Sequence, residues 1–506
     1  MKVLGHAAGG AVARAKPAQS KAGVVEAVVR ESPLLIAFAC SAAVLFSHLS
    51  TQFAADSWLN LLAGKEIVSH GLPHHDALAV LSHGDAWIDQ QWLAHLFFYG
   101  AYAVGGLTLA AHANIAVFLV AVAFTFWFAR RRGSGALSVV LCSIPMLIVG
   151  VEFIRAQVLV EPLFVALLAL LASESRAATR RVYLAVPLLV LWANLHGSVV
   201  FAAALVATLG IVEFLSTLRL RRSGVKRLLR PLLLVVLPWA CVFASPYGTS
   251  LGTYFRSTLR NPEFSRYLSE WAAPTFASLW GLILLGMALA AVALVARQRH
   301  ALTGFELAAL ALALVGATTA VRSIPWFAIA FAMLVPKLLD RELPSTNGEP
   351  GMTRSQRTVV VAAVGLALVT VAVAFAQPGR PIATDWPPSA AAAVAGVLGA
   401  DPGSRVLAGY DLADWLLFEV PEARGRVAFD GRWEILPRSK FLTVMRYIRQ
   451  GGPGWQRLDR GYRVVLLNPL RHGGLIRWYE GRGAAVLYRD SRTVVLDRGP
   501  SVRPKP

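Results

Sequence analysis

Several apolar runs along this chain are each about 17–25 residues long, enough for a helix to cross a hydrocarbon layer of roughly 30 Å. No other feature narrows the possible folds so far. Hydrophobic residues fill 56% of the 506 positions, and the runs lack the alternating polar face of helices in a large soluble protein. The chain therefore reads as a polytopic α-helical membrane protein. Its cysteines, Cys40, Cys142 and Cys241, all sit inside apolar runs. They read as small buried hydrophobes, so neither a disulfide framework nor a zinc site is indicated.

A formal charge of +20 would suggest nucleic acid if the basic residues lay together. Instead they fall in short clusters between the apolar runs, as cytoplasmic loops do. The clusters are the tail 1–32, Arg130–Arg132, Arg176–Arg181, Arg219–Arg230, Arg297–His300 and Lys337–Arg357. The tail has no cleavable apolar core and reads as a cytoplasmic lead into a signal-anchor helix. Placing every cluster in the cytoplasm predicts about eleven spans within 33–376, at 33–50, 107–129, 134–151, 158–173, 181–195, 198–216, 230–246, 276–296, 301–318, 324–339 and 357–376. The odd number leaves the segment 377–506 outside.

The first external loop, 51–106, is dense in titratable and aromatic residues. Its last part, "WLAHLFFYGAYAVGG" at 92–106, is apolar but short, and we expect an interfacial helix there. If it spanned, Arg130–Arg132 would face the wrong side. This threading brings Asp56, His74, His75, Asp76, Asp89, Arg155, Gln157, His196, Tyr247, Glu270 and Arg322 to or near the external face, from six separate segments. Taken singly, each reads as a helix-end snorkeller or cap. As a group they suggest a polar cavity, because bare charge in lipid costs several kcal/mol.

After residue 377 the pattern changes. "PGRPIATDWPPS" is a proline-rich linker. Beyond it, short β-like runs (Arg405–Leu407, Arg426–Phe429, Arg463–Leu467, Ala484–Tyr488 and Thr493–Leu496) mix with a helical run, Pro437–Gln450. We expect a C-terminal extracytoplasmic α/β domain of about 120 residues. From 377 onward the chain carries 20 Lys and Arg against 12 Asp and Glu. That excess suits membrane lipid phosphates; nucleic acid is excluded for a segment outside the cell membrane.

A polar cavity at the external interface, fed sideways from lipid, suits a substrate with an apolar tail and a polar head, such as a lipid-linked phosphosugar. Transfer from such a donor needs a carboxylate to take the acceptor's proton, for which Asp56 and Asp76 are candidates. It also needs groups that stabilise the departing lipid phosphate, for which Arg155, His196 and Arg322 are candidates. Trp58, Trp87 and Trp92 are either sugar-stacking residues or membrane-interface anchors. A divalent ion between Asp56 and Asp76 is a further option, although the "HHD" spacing at 74–76 matches no zinc motif.

The order of motifs resembles bacterial multispan membrane proteins of the GT-C glycosyltransferase superfamily. The matching residues are Asp56-Ser-Trp58 with Gly64, "GLPHHD" ending at Asp76, "WIDQQWL" from Trp87, "RAQ" at 155–157, "LWANLHG" at 191–197, "SPYG" at 245–248, "SEW" at 269–271 and "RSIPW" at 322–326. "GYDLADWLL" and "VAFDGRWEI" resemble the external domain of the same group. The resemblance covers nearly the whole chain after residue 33. It implies an inverting transfer from a polyprenyl-phosphate-linked sugar donor to an extracytoplasmic glycan, lipid or protein acceptor, in the bacterial inner membrane, with Asp56 as base. Two positions depart from the pattern, Asn60 where His is common and Gln91 where Glu is common; Asp89 could substitute for the latter. Asp430-Gly431-Arg432 reads either as an acceptor contact or as an ion pair holding the outer domain together, the second being the simpler reading.

Two other functions fit the same spans. A transporter of lipid-linked glycans should show inverted repeats and mid-membrane charge, neither of which is visible. A non-catalytic assembly or sensor protein would need no convergence of polar groups from six segments.

Overall fold

The computed structural model describes residues 21–48, 53–150, 154–219, 225–259, 261–343, 353–376 and 386–499. Most of the basic tail and the linker 377–385 lie outside the described residues. The helices are α1 (Lys21–Ser47), α2 (Ala55–His70), α3 (Trp92–Arg131), α4 (Ala136–Val149), α5 (Ala156–Glu174), α6 (Ala185–Leu195), α7 (Val199–Arg219), α8 (Val225–Cys241), α9 (Leu251–Leu259), α10 (Pro262–Tyr267), α11 (Leu279–Gln298), α12 (Gly304–Thr319), α13 (Ile324–Leu334), α14 (Pro336–Leu339) and α15 (Arg354–Ala376), followed by α16 (Pro388–Ala400), α17 (Tyr410–Glu419), α18 (Arg438–Arg449) and α19 (Pro469–Glu480).

A helix occupies each of the eleven expected positions. Among the described residues, six helices are long and apolar enough to cross a membrane: α1, α3, α5, α7, α11 and α15. The chain is a multi-pass membrane protein. With 11 residues each, α6 and α13 rise only about 16 Å as single helices. α13 lies at the centre, every residue from Ile324 to Leu334 buried among α3, α4, α5, α11 and α12. An all-apolar surface suits that place, since no face of α13 meets water.

α3 is two helices. Gly105 and Gly106 leave helical geometry, and Gly106 has φ 65° and ψ −164°, a conformation that a side chain would resist. The break ends the expected interfacial helix within a residue or two of its predicted limit. The first half of α3 packs along α2, and Gly64 permits it: a Cβ there would collide with the His95 carbonyl oxygen and the Cβ of Tyr99.

Residues 386–499 form a four-stranded sheet flanked by α16–α19. Its strands are β1 (Val406–Ala408), β2 (Val464–Leu467), β3 (Ala485–Arg489) and β4 (Val494–Asp497), in the order β1-β2-β4-β3. β1 and β2 run parallel, with Val406 opposite Val464, and the other pairs are antiparallel. The expected strand at Arg426–Phe429 does not form; Val427 makes only isolated bridges, to Val406 and to Ala79 of the first loop. The loop is stitched on there by Val80 N–H to the Val427 carbonyl (2.8 Å), Leu81 N–H to Ala428 (3.0 Å) and Gly425 N–H to Leu78 (2.9 Å). α17 then lies on α2, with Lys65 donating to the Phe418 carbonyl at 3.0 Å and Arg424 pairing with Glu66 at 2.8 Å. First loop and C-terminal sheet thus share one packed interface.

Candidate active site

Asp56 stands in the first turn of α2, where the free N–H groups of a helix start favour a carboxylate. One residue on, Ser57 Oγ donates to the Ile154 carbonyl at 3.2 Å, which fixes the approach to α5 beside α2. Arg155 follows immediately. Its Nε and Nη2 both donate to Asp56 Oδ2, at 2.9 and 2.6 Å. Nη2 also donates to Glu270 Oε2. The other Glu270 oxygen lies 3.8 Å from Arg322 Nη1. Asp56, Arg155, Glu270 and Arg322 therefore form one row of alternating charge, drawn from four segments.

The backbone holds the second half of that row. The Arg322 N–H donates to the Glu270 carbonyl at 3.0 Å and the Val321 N–H to Ala272 at 3.0 Å. The Arg322 guanidinium lies 4.3 Å from the Trp271 ring centroid, a stacked cation–π arrangement, and Gln157 Nε2 reaches the Arg322 carbonyl at 3.3 Å. Burial alone would raise the Glu270 pKa, but Arg322 and Arg155 outweigh it and hold the carboxyl below its usual range.

Beside Arg322 opens a cavity of about 640 Å³. Its lining includes the polar Gln157, His196, Ser198, Tyr254, Thr258 and Arg322 and the apolar Phe201, Ala204, Ala313 and Trp326. His196 follows α6, with Nδ1 2.7 Å from Ser198 Oγ and 3.2 Å from the Ser198 N–H. Since Nδ1 accepts from that N–H, the network places the ring proton on Nε2. Burial, reinforced by Arg322 and Arg155, drives the His196 pKa well below its ordinary value, so the imidazole is neutral. A ligand with a polar head and a hydrocarbon tail matches this mixed lining.

The remaining predicted residues lie elsewhere. Asp76 is 2% exposed and accepts from Ser82 Oγ (2.6 Å), the Leu78 N–H (2.9 Å) and Arg432 Nη2 (2.7 Å). Arg432 also holds Asp430 and lies 4.1 Å from the Trp87 ring centroid. Burial pushes the Asp76 pKa up, but Arg432, the Ser82 hydroxyl and the Leu78 N–H together outweigh it and leave a carboxylate below its usual range. Asp76 and Asp56 thus pair with different arginines. Asp430-Gly431-Arg432 is, as the simpler reading had it, an ion pair, and it extends to Asp76.

Trp58 is 1% exposed, packed against Phe53, Trp386 and Phe418, so it is no sugar platform; Trp87 is covered by Arg432. Asp89 bonds His95 Nδ1 at 2.9 Å inside the protein. Tyr247 donates to the Pro73 carbonyl at 3.0 Å, with the exposed His74 ring against it; His75, also exposed, faces the Gly84 carbonyl. At the departures, Asn60 donates to the Asp56 carbonyl at 2.6 Å, and the Gln91 N–H reaches Asp89 at 3.3 Å.

Sequence reasoning missed Ser198, Tyr254 and Thr258. The signal for the last two was present: Leu251, Tyr254, Phe255, Thr258 and Leu259 follow helical spacing in a stretch assigned to no element.

The overall fold is similar to those of two solved membrane proteins. Among solved structures, ArnT from Cupriavidus metallidurans in the apo state is similar over 92% of this chain and 98% of its own, with TM-score 0.51 and 15% identity. The Archaeoglobus fulgidus oligosaccharyltransferase in the apo form is similar over 96% of this chain and 75% of its own, with TM-score 0.50 and 12% identity. The same ArnT bound to undecaprenyl phosphate gives TM-score 0.49 at 15% identity, over 93% and 98%. No protein-family model matches the chain, and no curated protein sequence matches it.

Proposed function

We propose that this chain is a membrane glycosyltransferase that moves a sugar from a polyprenyl-phosphate carrier to a hydroxyl on a glycan, lipid or protein acceptor. The observation that carries this reading is the row Asp56–Arg155–Glu270–Arg322, whose last member, Arg322, lines a cavity of mixed polar and apolar side chains. The site and the C-terminal domain face outward from a bacterial cytoplasmic membrane, with the N-terminus inside. In support, Arg131 and Glu174, which pairs with Arg230, sit at the far ends of α3 and α5 from the site, as the positive-inside rule requires.

Both Arg155 bonds end on Asp56 Oδ2, so Oδ1 is the oxygen that takes the acceptor's proton as the acceptor oxygen bonds to the sugar C1. The C1–O bond to the carrier breaks on the opposite face, inverting C1. Its electron pair leaves with the polyprenyl phosphate, whose charge Arg322 meets, with the neutral His196 beside it.

The test is release of polyprenyl phosphate from synthetic polyprenyl-phosphate sugars by the purified chain in nanodiscs. Wild-type protein should turn over at least one donor, and Asp56→Asn should lose the activity while melting at a similar temperature. Equal rates in the two proteins would overturn the assignment, and no turnover of any donor would favour the scaffold reading.

A further inference from the structure

A divalent cation between two carboxylates is the expected device for neutralising a phosphate leaving group. In this protein the two nearest carboxylates of the site, Asp56 and Glu270, come from distant segments and meet on the same atom, Arg155 Nη2. Arg322 faces the second Glu270 oxygen. The gap where an ion would sit between the two carboxylates is thus taken by one guanidinium group, and a second faces the outer Glu270 oxygen. Among the described residues no group of three or more His, Cys, Asp or Glu could hold a metal. His196 turns Nδ1 to Ser198, and Asp76 is committed to Arg432. Magnesium needs near-octahedral oxygen ligation and calcium six to eight oxygens. Entry here would demand that ligand number while forcing two positive charges against Arg155. The donor set does not fit a divalent ion.

We infer that Arg155 is the resident cation of this site, joining Asp56 to Glu270 and making the transfer independent of divalent metal. The inference rests on the glycosyltransferase reading only for its activity arm. Arg155 acts here as a positioning residue: it orients Asp56 through Oδ2 and holds Glu270 back from the donor phosphate. Planar guanidinium donors suit that bridging task better than the point charge of lysine.

Mn²⁺ binding, read by electron paramagnetic resonance on the full chain in nanodiscs, tests this without turnover. Wild type, Asp56→Asn and Glu270→Gln should bind the same background amount, and Arg155→Ala should gain about one Mn²⁺ that is lost again in Arg155→Ala/Asp56→Asn. A wild-type Mn²⁺ site abolished by Asp56→Asn or Glu270→Gln would overturn the inference, and no gain in folded Arg155→Ala would count against the bridge. Should Arg155→Ala fail to fold, wild type and Glu270→Gln decide alone. In the activity arm, EDTA should change the rate less than twofold; a tenfold loss restored by Mg²⁺ or Mn²⁺ would overturn it. Failure of every donor would sink the enzymatic reading and leave the Mn²⁺ result standing.

Discussion

Arg432 of the C-terminal domain and Asp76 of the first loop form an ion pair at 2.7 Å with side-chain exposures of 2% and 0%. It locks the loop that follows α2 to the segment beside β1, where Val427 and Ala428 accept backbone bonds from Val80 and Leu81. Removing one partner of a buried pair leaves an uncompensated charge, which costs about 3–5 kcal/mol. Arg432→Met should therefore lower the melting temperature sharply and expose the first loop to protease. A melting curve unchanged from wild type would show that the pair does not hold the two parts together.

Asp56→Asn preserves shape and removes a charge that is 46% exposed. Loss of a positioned base costs roughly 10²- to 10⁴-fold in rate. The expected signature is a fall in kcat of that size with little change in donor affinity, the reverse of what Arg432→Met should produce. Asp76→Asn should behave like Arg432→Met, destabilising the protein without removing the base.

Arg322 belongs both to the charged row and to the cavity. Arg322→Gln keeps two donors and loses the charge. A hydrogen bond to a charged group contributes about 1.5–3 kcal/mol, so polyprenyl phosphate binding should weaken roughly tenfold or more. Native mass spectrometry of the lipid-bound chain would measure it, and undiminished binding would move the phosphate elsewhere.

Glu434 supplies a pH dependence. Burial, with Asp430 and Asp89 nearby, pushes its pKa from 4.5 up to about 7, Arg432 opposing. The folded state therefore holds this proton more tightly than the unfolded chain. The stabilisation is complete below about pH 4.5 and is lost as pH rises toward 7. Asp414, raised by burial and by Asp430, acts with the same sign. The melting temperature of wild type should fall between pH 5 and pH 7 more steeply than that of Glu434→Gln. Parallel curves would refute the shift.

Gly64→Ala tests the contact between α2 and the first half of α3. The added methyl meets backbone at His95, which cannot swing aside as a side chain can. Overpacking of this kind costs about 1–3 kcal/mol, and because α2 carries Asp56, activity should fall with stability.

Much of the plan was legible in the chain. The apolar runs, the division of the 92–129 stretch near residue 106 and the α/β character of the C-terminal segment all follow from period, length and charge. Of the two candidate bases, however, Asp56 and Asp76 look alike in sequence, both acidic and both in the first loop. Their difference lies in partners from far along the chain: Arg155 for one, Arg432 for the other. Trp58 fails as a sugar platform for the same reason, since Trp386 and Phe418 cover it from the C-terminal domain.

The sequence by itself determined that this protein crosses a membrane many times, because hydrocarbon admits only long runs of apolar helix and the basic clusters mark where those runs must stop. Only the tertiary structure decided which charges meet. Ion pairing depends on distances of a few ångströms between residues that local period and composition leave independent, so Arg155 could be known as the shared cation of Asp56 and Glu270 only once α2, α5 and the segment after α10 were packed together.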